Sequence, residues 1–215
     1  MAVIHRTTME PGKLQLLSAW LPTRPWYTGT AGEPRLARAG GFRLDDPQGA
    51  VGMEFMVVTD ISGDLPVSYF VPVTYRGAAL DGADQALIGT TEHGVLGRRW
   101  VYDGVHDPVL VAQVLALLRG QAEPQAQSVS DTPDPTVAVR SAGDGHLAGI
   151  TSATVRDTRQ GTDVVLDGEI ATLAVSRVLR PGSSGDTAKA RGDVTGPWGL
   201  PDDGEVRGTF FALFD

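Results

Sequence analysis

Along this chain the spacing of hydrophobic positions starts helical and then switches to that of strands. Between Lys13 and Leu21 the apolar residues Leu14, Leu17 and Leu21 share one helical face, with Pro11 suited to the opening turn and Pro22 ending the run. After a loop punctuated by Pro and Gly, TRPWYTGTAGEP, three runs follow that are rich in β-branched and aromatic residues: GGFRL, VGMEFMVV and VSYFVPVTY. Asp-Pro and Ser-Gly-Asp turn signals separate them, and in the third Val67, Tyr69, Val71, Val73 and Tyr75 fall on one face, so a meander is expected. VLGRRWVYD is a fourth strand that runs straight into a helix. Asp107 is placed to cap that helix, Pro108 to open it and Gly120 to end it, while Val111, Val114, Leu115 and Leu118 form a stripe suited to packing on a sheet.

Residues 121–135, QAEPQAQSVSDTPDP, lack apolar periodicity and read as a linker. Beyond them the pattern is nearly all β: TVAVRS, ITSATVRD, DVVL, EIATLAVSRVL and, after a glycine-rich loop, EVRGTFFALF. Asp167-Gly168 is the strongest hairpin signal in the chain, because Gly supplies the positive φ of a tight turn. The expected fold class is α+β: residues 1–120 form an antiparallel curved sheet with packed helices, and 136–215 a small, mostly antiparallel β subdomain without a confident helix.

Composition narrows the function more by exclusion than by suggestion. The 215 residues are 41% hydrophobic and 20% charged, ordinary for a globular chain with a real core. A formal net charge of −8 and no evident basic patch argue against nucleic acid as a partner. Cys is absent, which removes disulfides, thiolate metal sites and Cys nucleophiles together. No leader pattern and no apolar run near the ~20 residues that span a bilayer are found, so no membrane role and a cytoplasmic location are expected.

The segment GTTEHGVLGRRWVYDGVHDP, residues 89–108, gathers two His, two Arg, a Trp, a Tyr and three acids. It fits no catalytic pattern. His93 is followed four residues on by Gly97 rather than the second His of a helical zinc site, and G-x-S-x-G and phosphate-loop patterns are missing from suitable settings. Asp45-Asp46 and Asp202-Asp203 are adjacent acids in turns, unlike the facing carboxylates of a glycosidase, and AGDGHLAG reads as a turn. No catalytic residue, metal site or cofactor is therefore expected. Aromatic and Arg side chains remain: Trp26, Tyr27, Trp100 and Tyr102 serve either core packing or a platform for sugar rings. Arg98 and Arg99 alternate across a strand, so one faces in, either tied to Asp103 or Glu92 or recognising an anion.

FRLDDPQGAVGMEF, VPVTYRGAALDGA and LIGTTEHGVLGRRWVYDGVHDPV, in that order, resemble the run of motifs in the N-terminal cap of bacterial maltokinases. The resemblance covers roughly the first 120 residues and implies a cystatin-like sheet with helix packed on it and a link to actinobacterial trehalose, maltose and α-glucan metabolism. Residues 136–215 are a weaker match to the family's intermediate part, which is similar to a kinase N-lobe; aligning the Pro-Gly of EIATLAVSRVLRPG puts Ala174 where that hairpin carries a nucleotide-contacting Lys. Nothing resembles the family's H-G-D-x-H loop or Asp-Phe-Glu metal site, without which phosphoryl transfer has no base and no magnesium ligands. The resemblance implies a stand-alone, non-catalytic cap-like protein that binds an enzyme of trehalose or α-glucan metabolism. Its alternatives are a binder or enzyme for an α-glucan or sugar phosphate acting through the Arg98, Arg99 and Trp100 region, and a module that self-associates.

Overall fold

A computed structural model of the chain describes residues 7–29, 32–143, 150, 152–167, 170–182, 186–201 and 204–215. The strands form two antiparallel sheets, accompanied by two short α-helices. The first sheet contains β1 (Met9–Glu10), β2 (Leu36–Leu44), β3 (Gly52–Asp60), β4 (Val67–Arg76), β5 (Leu87–His93), β6 (Gly97–Asp103) and β7 (Gln125–Ala126), in the order β1-β5-β6-β4-β3-β2-β7. Its centre is the expected meander, since β2 pairs with β3 and β3 with β4. Strand β5, LIGTTEH, escapes the sequence pattern because glycine and polar residues dominate it, yet it forms a hairpin with β6. Residues within 121–135 supply β7, which pairs with Phe42 and Arg43 of β2.

The two faces of this sheet are covered differently. Helix α1 (Lys13–Trp20) lies on one, where Leu17, Trp20 and Leu21 pack with Trp26, Met56, Val58, Tyr69, Val71, Val73 and Val101. Helix α2 (Pro108–Leu118) joins the core on the other, with Leu110, Val111, Val114, Leu115, Leu117 and Leu118 buried. Its start is as expected: the Asp107 carboxylate accepts from Val109 N at 3.0 Å, and Pro108 needs no partner for a missing N–H. The same carboxylate receives both a 2.7 Å bond from Arg76 Nε and one from Arg76 Nη2. Gly120, with φ 72°, ends the helix in the left-handed region open to glycine.

The second sheet orders β8 (Ala138–Arg140), β12 (Gly192–Leu200), β13 (Gly204–Phe214), β11 (Ala171–Val175), β10 (Thr162–Leu166) and β9 (Ala153–Asp157). Part of the expected glycine-rich loop is β12, the longest partner of β13. Its sequence GDVTGPWGL hides a strand because glycine and proline break the β pattern, but packing demands Gly196: a Cβ there would stand 2.3 Å from the Phe210 ring. The expected hairpin between β10 and β11 is present, closed by Leu166 and Ala171 with Asp167 at φ 37°. Gly168 of that turn, residues 144–149 of AGDGHLAG and Asp202–Asp203 lie outside the described residues.

Both sheets feed one core. Phe42, Phe55 and Phe70 of the first meet Phe210 and Phe211 of the second, with the Phe70 and Phe210 rings stacked at 4.5 Å and Phe70 and Phe211 edge to face at 5.2 Å. Backbone bonds reinforce the contact, from Phe70 N to Arg177 O (2.9 Å) and from Leu179 N to Ser68 O (2.8 Å).

Candidate functional site

Strand alternation puts Glu54 of β3, Tyr75 of β4 and Arg99 of β6 on the α1 face, together with Arg43 of β2. The apolar side chains of α1 cover part of this face. Beyond the N-terminal end of the helix the face opens into a cavity of about 510 Å³ lined by these residues, Lys13, Asp46, His93, Gln127 and neighbours from β1 and the β2–β3 turn.

Glu54 is the organising group. Only 4% exposed in the middle of an apolar strand, its carboxylate receives Lys13 Nζ at 2.5 Å, the Tyr75 hydroxyl at 2.8 Å and Gln127 Nε2 at 2.9 Å. Burial raises its pKa, but the Lys13 charge and the three hydrogen bonds outweigh burial and hold it below the ordinary carboxylate range. Tyr75 moves the other way: burial, then the Glu54 charge, pushes its phenol well above the usual value, so it stays a neutral donor. Lys13 sits in the first turn of α1, where a cation opposes the helix dipole. The Glu54 pair and the Tyr75 ring, 5.3 Å from the ammonium, offset that placement.

The remaining charges have separate settings. Asp46, expected as a turn former, is one: its carboxylate accepts from Gln48 N, Ala50 N and Val51 N, each at 2.9 Å. His93 Nδ1 accepts from Val95 N and Leu96 N, which puts the proton of the neutral ring on Nε2. Arg99 donates from Nη2 to Leu96 O at 2.6 Å, while its buried Nε has no partner among the described residues.

The residues singled out from sequence are not brought together. Trp26 is buried beneath the α1 side and Tyr27 stacks on Tyr69 at 5.4 Å, its hydroxyl donating to Asp60 at 2.8 Å. Trp100 and Tyr102 face the opposite side of the sheet, packed with Leu80, Ala83, Ala86 and Leu87, where the Tyr102 hydroxyl accepts from Leu80 N. Arg98 and Arg99 do alternate. Arg98 forms an exposed pair with Glu92 at 2.8 Å, and of the six named residues Arg99 alone lines the cavity. Asp103, the other partner considered, binds Arg177 instead, at 2.6 Å. Among the described residues no three His, Asp or Glu side chains converge on a metal position, and His93 and His106 stand at opposite ends of the β5–β6 hairpin.

Sequence reading missed Lys13, Arg43, Glu54, Tyr75 and Gln127. One signal was there: an acid inside VGMEFMVV must find partners if the strand is buried. No comparable signal tied it to Lys13 or Gln127, 41 and 73 residues away.

Residues 20–107 match the family model of the maltokinase N-terminal cap domain. Among curated proteins none matches the chain. The matched span runs from the end of α1 to the cap of α2, and it contributes Arg43, Asp46, Glu54, Tyr75, His93 and Arg99 to the cavity, with Lys13 and Gln127 closing it from either side. Over those residues, fewer than half of the chain, the sequence is similar to that cap domain.

Proposed function

We propose that this protein is a non-catalytic cap module that associates with an enzyme of maltose, trehalose or α-glucan metabolism in the cytoplasm. The observation that carries the reading is the cap match over 20–107. The 215 residues contain no H-G-D-x-H motif, and Ala174, aligned with the nucleotide-contacting Lys, lies on β11 between Asp163 and Ala212. In this reading residues 1–120 are a cystatin-like cap, 136–215 a subdomain akin to a kinase N-lobe and 121–135 the joint between them. Phosphoryl transfer would then require groups from another polypeptide segment. Among the described residues no helix is long and apolar enough to cross a membrane.

Sedimentation of the purified chain with purified enzymes that form or consume maltose and trehalose tests this directly. A stoichiometric complex with one of them at micromolar concentration is the expected result. A single species at the chain's own mass in every mixture overturns the reading, whereas a concentration-dependent dimer of the chain alone replaces it with self-association. Stabilisation by Mg-ATP would overturn the non-catalytic part.

A further inference from the structure

The cavity at the open end of the α1 face has a charge arrangement that the partner reading does not use. Three cations line it, Lys13, Arg43 and Arg99, against two carboxylates, Glu54 and Asp46. Both carboxylates are occupied from within. Asp46 accepts three backbone N–H groups, and Glu54 is met by Lys13, Tyr75 and Gln127. Arg43 is the cross-strand neighbour of Glu54 but is not among those donors, and its guanidinium makes no side-chain hydrogen bond among the described residues. Arg99 leaves Nε buried and unpartnered. Two guanidinium groups without carboxylate partners therefore share one concave space, the arrangement that takes up phosphate or carboxylate oxygens.

The floor adds a second requirement. Lys13 retains two N–H donors beyond the one given to Glu54, and the Tyr75 oxygen, donating to Glu54, retains lone pairs. The buried Glu54 carboxylate holds both groups in place before any ligand arrives, which lowers the ordering cost of binding. Ala50 and the Tyr75 ring supply apolar surface beside them, the mixture that suits the hydroxyl and CH faces of a polyol. A space of about 510 Å³ accommodates a molecule of sugar size.

We propose that this cavity is a binding site for a small hydroxyl-rich anion, a polyol bearing a phosphate or a carboxylate, with Arg43 and Arg99 holding the anionic group and Lys13 and Tyr75 the hydroxyls. The site stands independently of any protein partner.

Isothermal titration of the full chain with glucose 6-phosphate, gluconate, inorganic phosphate and glucose tests it. At least one of the two anionic polyols should bind about tenfold or more tightly than both glucose and inorganic phosphate, and the better of the two identifies the anionic group. Arg43→Met and Arg99→Met should each weaken that binding about tenfold, with Tyr75→Phe weakening it less. Arg98→Met, whose side chain is paired outside the cavity, should leave it unchanged. Retained tryptophan fluorescence shows that each variant is folded. Equal binding of glucose overturns the anionic requirement, equal binding of inorganic phosphate overturns the polyol requirement, and no heat from any probe at about 20 mM overturns the site. An effect of Arg98→Met equal to that of Arg99→Met places binding elsewhere.

Discussion

Glu54 and Asp103 are both buried acids on the first sheet, each met by a cation from a distant stretch of chain, yet their surroundings differ in kind. Glu54 faces a cavity, and its cation Lys13 keeps 36% of its side-chain surface in contact with solvent. Asp103 is sealed: it and Arg177 are 1% and 0% exposed, and the Arg177 guanidinium lies 5.0 Å from the Trp26 ring. Arg177 also donates from Nε to Thr162 Oγ1 at 2.8 Å, so this one side chain joins the second sheet to the end of β6 in the first. Inside the protein the attraction within such a pair has to offset the loss of hydration of both ions, and here Asp103 Oδ1 and Arg177 Nη1 remain without partners among the described residues. The difference separates two uses of buried charge. The sealed pair fixes how the sheets meet, and the open one prepares a surface.

The sealed pair should give the largest effect when broken. Asp103→Ala leaves an unpaired guanidinium in the core at a cost of about 3–5 kcal/mol, read as a drop in the urea midpoint. Replacing both members with apolar residues, Asp103→Leu with Arg177→Met, should recover much of the loss because no charge is then stranded. Full additivity of the two single losses in the double variant would show that the pair is not coupled.

Glu54→Gln should cost less, about 1.5–3 kcal/mol at neutral pH, since charge-assisted hydrogen bonds are lost but Lys13 can turn to solvent. The cost in the open cluster should shrink in high salt, and that of the sealed pair should not. Identical salt responses would erase the distinction between the two sites.

Acid titration sharpens the same contrast. The folded pKa of Glu54 is held below its ordinary 4.5, so its contribution is present above that value and is lost as pH falls through the folded pKa. His106, beside the sealed pair, is lowered from 6.5, first by burial and then by the Arg177 charge, with Asp103 opposing. Its unfolded form takes a proton first, so stability starts to fall once pH drops below about 6.5. Wild-type stability, followed by urea unfolding at stepped pH, should decline in two stages. His106→Gln removes the upper stage, and Glu54→Gln the lower part that Glu54 contributes.

Much of the fold was legible in the sequence, for reasons that apply to particular elements. Asp107-Pro108 and Gly120 bracket α2 because capping chemistry is local, and the meander shows because apolar residues alternate over strands long enough to register. Strand β12 was illegible because its Gly196 answers to Phe210 across the sheet rather than to its own backbone preference. The cavity was hidden for the same reason at longer range. Charged and aromatic residues are dense at 89–108, but most of the groups that meet in space come from Lys13, Arg43, Glu54, Tyr75 and Gln127, separated along the chain by turns and whole strands. Arg99 was the exception, placed by strand alternation and brought to the cavity by the β5–β6 hairpin.

Its neighbour provides the smallest expected effect. Arg98 and Glu92 face each other across that hairpin in good geometry, 2.8 Å apart, but their side chains are 63% and 59% exposed. Hydration competes with the pair, and holding two long side chains together costs rotamer freedom, so Arg98→Met should change stability by about 0–1 kcal/mol, less still in high salt. A loss near that of Glu54→Gln would mean that exposure does not separate structural from surface charge on this sheet. With the loss small, the alternation of two adjacent arginines separates their settings: one strand presents Arg98 to solvent and Arg99 to the cavity, where the proposed anion would meet it.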